Sequence, residues 1–246
     1  MQAPRTVLVT GASSGVGNSL ARYLADTYHV IVAARRIDRL RADFEGRDGF
    51  SVHQVDLGNA DDTARFLTRV LEEHGYVPYV INNAGVVVRG RLEDLEPEEL
   101  ARSMEVNGYA PLRIMRGLLD PMKTNGFGRI INITSGAPLN CFPGAGAYSA
   151  SKAFLNAVTV TFARELEDYD IKINLMSPGP VRSEIAPDAP MEPDACHPTV
   201  DHLLGLGADG PTGNFYWLGY QVPLFPDLEG VDWLGGIGND RLTRVL

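Results

Sequence analysis

The chain has 246 residues, 44% hydrophobic and 22% charged, enough for a globular fold that needs neither disulfide nor metal to bury a core. With 31 acidic against 22 basic residues the formal charge is −9, which argues against a nucleic-acid partner. No apolar run approaches the roughly 20 residues of a membrane helix, no signal peptide is expected at Met1-Gln2-Ala3-Pro4-Arg5, and Cys141 and Cys196 lie outside any metal-spaced pattern, so a reducing, cytoplasmic setting is expected.

Apolar runs and helical patterns alternate along the chain. Val7-Leu8-Val9 reads as a buried strand and residues 15–27 as a helix with Val16, Leu20, Tyr23 and Leu24 on its inner face. Val30-Ile31-Val32-Ala33 is a second strand, followed by a charged segment to Glu45. Phe50 to Val55 is a third, and residues 60–74 a helix with Phe66, Leu67, Val70 and Leu71 inward. Val77 to Ile81 is a fourth, residues 97–124 one long helix with a solvated, acidic start around Glu96-Pro97, and Arg129 to Ile133 a fifth. A helix over 147–168 and a sixth strand, Ile171 to Leu175, complete the regular part. Beyond residue 180 prolines become frequent, and only a short helix near 195–205 and a strand near 213–218 are expected. The alternation predicts a single-domain α/β fold: a Rossmann-type, doubly wound parallel sheet of about seven strands with helices on both faces.

The first strand runs into Thr10-Gly11-Ala12-Ser13-Ser14-Gly15-Val16-Gly17. Glycines between a strand and a helix let the backbone approach a pyrophosphate, and the helix start directs free N–H groups and a positive dipole end at it. The spacing is TGxxxGxG rather than GxGxxG, and on it the chain resembles the short-chain dehydrogenase/reductase (SDR) family, in its single-domain branch of carbonyl-reductase-like proteins.

The later motifs extend the resemblance over about residues 5–218. The second strand ends in Ala33-Ala34-Arg35-Arg36, with no carboxylate to hold an NAD ribose and two arginines suited to the 2′-phosphate of NADP. NADP(H) is therefore the expected cofactor and NAD(H) the second choice, with the arginine that grips the phosphate left open. Asp56, followed by Leu57, is placed by the resemblance beside the adenine; alternatively it caps the next helix. Asn82-Asn83-Ala84-Gly85 matches the family's NNAG motif, with side chains bracing the central strands and the backbone of Asn83, Ala84 and Gly85 against the cofactor.

Tyr148 and Lys152 form a YxxxK pair, on one face of a helix at i and i+4. A tyrosine near its ordinary pKa of about 10 transfers protons poorly at neutrality, and a neighbouring positive charge lowers that value. Ser135 lies 13 residues before Tyr148 at the end of the fifth strand, where open α/β sheets bind ligands. The resemblance gives Ser135 the substrate oxygen, Asn107 a helix kink with a water-holding carbonyl, and the set Asn107, Ser135, Tyr148 and Lys152 the chemistry. It also assigns Pro178, Gly179, Val181 and Ser183, a variant PGxVxT motif, to the nicotinamide pocket. Cofactor contacts are thus expected at Gly11, Ser13, Ser14, Gly15, Val16, Gly17, Arg35, Arg36, Asp56, Leu57, Asn83, Ala84, Gly85, Tyr148, Lys152, Pro178, Gly179, Val181 and Ser183.

The implied activity is hydride transfer between nicotinamide and a small carbonyl or secondary alcohol, in the reductive sense. An oxidative alcohol dehydrogenase and a non-catalytic NADP sensor are the alternatives. Family habit suggests a homodimer or homotetramer, a substrate lid over 184–200 and a C-terminal tail, 219–246, whose Phe225, Trp233 and Leu234 cover a neighbouring subunit, the cleft or their own domain. Leu139, Asn140, Cys141 and Phe142 are weighed as cleft residues against a plain loop. The five histidines, His29, His53, His74, His197 and His202, are scattered in sequence, and no metal site is expected.

Overall fold

The computed structural model describes residues 5–225 together with 231 and 242. In chain order the elements are β1 (Thr6–Thr10), α1 (Gly15–Leu24), β2 (His29–Ala34), α2 (Ile37–Phe44), β3 (Phe50–Gln54), α3 (Ala60–His74), β4 (Tyr79–Asn82) and α4 (Pro97–Met104). A π turn, Glu105–Tyr109, leads into α5 (Ala110–Asn125), then β5 (Gly128–Ile133), α6 (Ala137–Asn140), α7 (Gly146–Glu165) and β6 (Ile171–Ser177). A 3₁₀ turn (Pro193–Cys196), α8 (His197–Leu204), β7 (Phe215–Trp217) and β8 (Tyr220–Val222) complete it.

The eight strands form one sheet in the order β3-β2-β1-β4-β5-β6-β7-β8. All pairings are parallel except β7 with β8. Residues alternate across the sheet: Val7 and Val9 of β1 join Leu20, Leu24 and Phe44 on one face, whereas Leu8 joins Phe66, Val70, Ile114 and Leu118 on the other. Both faces are thus covered by helices, the doubly wound arrangement read from the alternation. Burying each of these large side chains contributes about 1.5–3 kcal/mol. Among the described residues no helix is long and apolar enough to cross a membrane.

Four departures from the sequence reading have local causes. The long helix is two helices, because the π turn inserts an extra residue at Asn107. Across that turn Gly108 admits the Phe154 ring so closely that a Cβ would stand 2.6 Å from it. Residues 37–44, read as a charged segment, form α2, whose Leu40 and Phe44 are buried. The eighth strand arises from a tight reversal in which Leu218 (φ 47°) and Gly219 (φ 81°) both take positive φ; leucine is not a residue that signals such a turn. Tyr23, expected inward, is exposed and stacks on His197 at 4.1 Å between ring centroids.

The expected lid over 184–200 divides in two. Residues 184–186 face the cleft described below, but Cys196 and Val200 are core residues packed with Val181 and Tyr216. Of the expected tail contacts, Phe225 is exposed, and Trp233 and Leu234 lie outside the described residues.

Candidate active site

The C-terminal ends of β1, β2, β4, β5 and β6 open onto a cleft of about 660 Å³, the place where open α/β sheets bind ligands. Its floor is the turn after β1. Gly11 sits at φ +69°, and a Cβ on it would come within 2.8 Å of Ala84 Cα. Gly17 has a different task from the cofactor contact expected of it. It is not on the cleft wall; a Cβ there would stand 2.5 Å from Gly11 O, so it lets α1 pack against its own turn. Ser14 caps α1 with an extended backbone and no capping side-chain bond, leaving the first N–H groups of the helix directed at the cleft.

Both arginines after β2 line this cleft. Arg36 donates to Ser13 Oγ (3.1 Å) and Ser14 Oγ (2.7 Å) and pairs with Glu184 at 2.6 Å. Arg39 pairs with the other oxygen of the same carboxylate. These two bonds, Arg39's first, hold the Glu184 carboxyl below its ordinary pKa. Arg35, by contrast, has no side-chain hydrogen bond or ion pair to another described residue; its carbonyl accepts from Gln54 Nε2. Glu184 and Arg39 were missed in the sequence, since nothing there signals that residue 184 returns to the first turn.

Asp56 and Leu57 also line the cleft. The cap of α3 is Asn59, which accepts from Asp62 N at 2.9 Å, so the capping alternative for Asp56 falls; Asp56 Oδ1 accepts from Gly58 N instead. The NNAG asparagines brace the sheet: Asn82 Nδ2 donates to Asn132 Oδ1 (2.8 Å) and Asn83 Nδ2 to Thr10 O (2.9 Å). Asn83, Ala84 and Gly85 form the adjoining wall.

Ser135, Tyr148 and Lys152 face the same cleft from β5 and α7. Thr134 points away, its hydroxyl bonded to Asn156 Oδ1 at 2.6 Å in the core, and Ser135 alone presents its hydroxyl beside Tyr148. Lys152 is buried and donates from Nζ to Ile133 O at 2.7 Å. Asn107 does not line the cleft; its amide bonds Val86 N, Val86 O and Ser151 Oγ and so ties the π turn to α7 behind Lys152.

The titration behaviour differs from the simple expectation of a lowered tyrosine. Burial raises the Tyr148 pKa, against a smaller lowering by Ser135. Burial likewise lowers Lys152 to about 8. The Lys152 ammonium stands 5.9 Å from the Tyr148 ring centroid and is held on Ile133, so desolvation outweighs its field at the phenol.

Pro178, Gly179, Val181 and Ser183 close the far end of the cleft, joined there by Ser177, Pro180 and Ile185. Leu139, Asn140, Cys141 and Phe142 are not on the wall; they sit on or just after α6, with Leu139 and Phe142 exposed.

This geometry has close counterparts. Residues 5–193 match the short chain dehydrogenase family. The chain is 30% identical to mouse dehydrogenase/reductase SDR family member 4 over 189 residues, 74% of this chain and 67% of that protein. It is 32% identical to D-beta-hydroxybutyrate dehydrogenase of Rhizobium meliloti (strain 1021) over 71% of this chain and 70% of that one. Among solved structures, a metagenomic short-chain oxidoreductase in complex with NADP superposes with a TM-score of 0.77 at 32% identity, covering 87% of this chain and 96% of the other. A single-site variant of actinorhodin polyketide ketoreductase with NADPH does so with a TM-score of 0.81 at 26% identity, over 88% and 96%. The fold and site thus define an α/β oxidoreductase. The chain belongs to the short-chain dehydrogenase/reductase family, whose members act on CH–OH donors or the corresponding carbonyls.

Proposed function

We propose that the chain is an NADP(H)-dependent carbonyl reductase of small molecules, with Tyr148 as proton donor. The observation that carries this reading is the convergence of Ser135, Tyr148 and buried Lys152 on one cleft whose other end carries Arg35 and Arg36.

The cleft fits a nicotinamide dinucleotide phosphate. The free N–H groups at the start of α1 suit the pyrophosphate, and Gly15 leaves room where a Cβ would press within 3.1 Å of Ser183. Arg35 and Arg36 suit a further phosphate, and solved relatives with NADP and NADPH support the assignment. When bound, the cofactor supplies the hydride from its nicotinamide ring.

Ser135 then holds the substrate carbonyl oxygen, and the Tyr148 hydroxyl gives that oxygen its proton, so that C=O becomes CH–OH. Desolvation keeps Tyr148 protonated and ready to donate in the reductive direction. Lys152 stands on the cleft side of α7 one turn from Tyr148, anchored by Ile133 O, where it holds the cofactor's ribose. Asn107 positions Lys152 through the π turn and Ser151. Glu184 occupies the arginines from the lid side, so Arg36 exchanges a carboxylate for a phosphate while Arg35 loses no partner. Residues 184–186 act as the substrate-side flap, in a cytoplasmic homo-oligomer whose two described cysteines are free.

The test is consumption of NADPH and of NADH at 340 nm with a panel of ketones, diketones, quinones and aldehydes. Turnover preferring NADPH is expected. NADPH binding without turnover on any member would favour a cofactor sensor, and a preference for NADH would refute the role of the arginines.

A further inference from the structure

The edge of the sheet farthest from β8 holds an arrangement the cleft does not use. His53 on β3 and Glu73 and His74 at the end of α3 bring one ligand atom each to within 4.8 Å of one another. His29, at the start of β2, adjoins them with its ring centroid 5.3 Å from that of His74. Three of the five histidines, separated by more than 20 residues each, are thus neighbours in space, which corrects the expectation of a scattered set.

His53 Nε2 and His74 Nε2 are both buried with no well-aligned hydrogen bond among the described residues, and the His53 side chain is only 6% exposed. A buried nitrogen without a well-aligned hydrogen bond is costly. The Glu73 carboxylate faces both with one oxygen: Oε2 lies 3.3 Å from His53 Nε2, close enough to pair with it, and 3.8 Å from His74 Nε2. Those separations suit another function. Ligands about 2.0–2.1 Å from a tetrahedral zinc ion are about 3.3 Å apart along each edge.

We propose that His53, Glu73 and His74 form a binding site for a borderline divalent cation, Zn²⁺ or its Co²⁺ analogue, with a solvent molecule as fourth ligand. Two imidazoles and a carboxylate are an ordinary donor set for such an ion. Arg69 lies near His53 and opposes the cation, while Glu73 offsets one positive charge. The His29 imidazole is engaged with Ser51 Oγ at 2.8 Å and stands outside the donor set. A metal here ties β3, the edge strand, to the end of α3. The role is that of a clip on the outer corner of the fold, remote from Tyr148.

The full chain, stripped with a chelator and dialysed, is titrated with Co²⁺ and with Zn²⁺. One equivalent of Co²⁺ is expected to give the visible bands of a four-coordinate site, displaced by Zn²⁺, and either metal should raise Tm. Glu73→Gln, at a half-exposed position that leaves the fold intact, should weaken binding by about tenfold or more. His53→Gln with His74→Gln should abolish the bands, and His202→Gln should leave them unchanged. Absence of the bands and of a Tm shift in the native chain would overturn the proposal, as would undiminished binding by Glu73→Gln or loss of the bands in His202→Gln.

Discussion

Two buried polar clusters in this molecule are built on opposite principles. Around the cleft most buried polar groups have partners inside the chain: Lys152 has Ile133 O, Asn107 has Val86 and Ser151, Thr134 has Asn156, and Asn82 pairs through Nδ2 while its Oδ1 goes without. At the β3–α3 corner two buried imidazole nitrogens share one Glu73 oxygen and have no well-aligned hydrogen bond among the described residues. A satisfied network fixes side chains in place for chemistry on something else, whereas an unsatisfied one is itself poised to take a ligand. The contrast teaches that polarity and burial alone do not distinguish an active site from a binding site; the pattern of satisfied and unsatisfied hydrogen bonds does.

The sharpest test of the cleft side is Tyr148→Phe. It removes one oxygen, leaves the ring packing intact, and is expected to cut turnover by about 10³-fold with NADPH binding retained; kcat and a fluorescence titration of NADPH check both halves. Substantial residual reduction would mean that another group donates the proton.

Lys152→Met probes how much the satisfied network costs the fold. Burial depresses Lys152 to about 8 against an ordinary 10.5, so between those values the unfolded chain binds the extra proton. The cost of the buried ammonium is therefore complete below pH about 8 and fades as pH rises toward about 10.5. The variant should be more stable than the native protein by about 2 kcal/mol at pH 7, after allowance for the donor that Ile133 loses, with the gain vanishing near pH 10. Denaturant midpoints across that range measure it. A gain independent of pH would show that packing, not charge, is responsible.

The arginine end yields smaller effects. Changing both Arg35 and Arg36 to Ala should raise KM for NADPH by about 10- to 100-fold and leave that for NADH nearly unchanged, as expected for a lost charge-assisted phosphate contact. Equal effects on both cofactors would break the assignment. Smallest of all, Glu184→Gln removes the carboxylate that competes for Arg36 and Arg39 and should tighten NADPH severalfold, at little cost to stability because the pairs are solvent-exposed. Calorimetric titration of NADPH decides it.

What the sequence determined by itself was local or strictly ordered. TGxxxGxG after an apolar strand marked the first turn, continuous apolar runs marked a sheet covered on both faces, and i, i+4 spacing put Tyr148 and Lys152 on one side of α7. Ser135 was legible because it ends a strand, and the ends of parallel strands meet at one edge of the sheet. Tertiary structure alone decided the rest. It returned Glu184 to Arg36 across 148 positions, bonded Thr134 to Asn156 in the core, and made Gly17 a packing residue. It also set the β7–β8 reversal on a leucine in a left-handed conformation and brought His53 to Glu73 and His74. The histidine cluster depends on where β3 lies against α3 and the Glu184 contact on the path of a proline-rich loop, quantities set by packing and carried by no short pattern of residues.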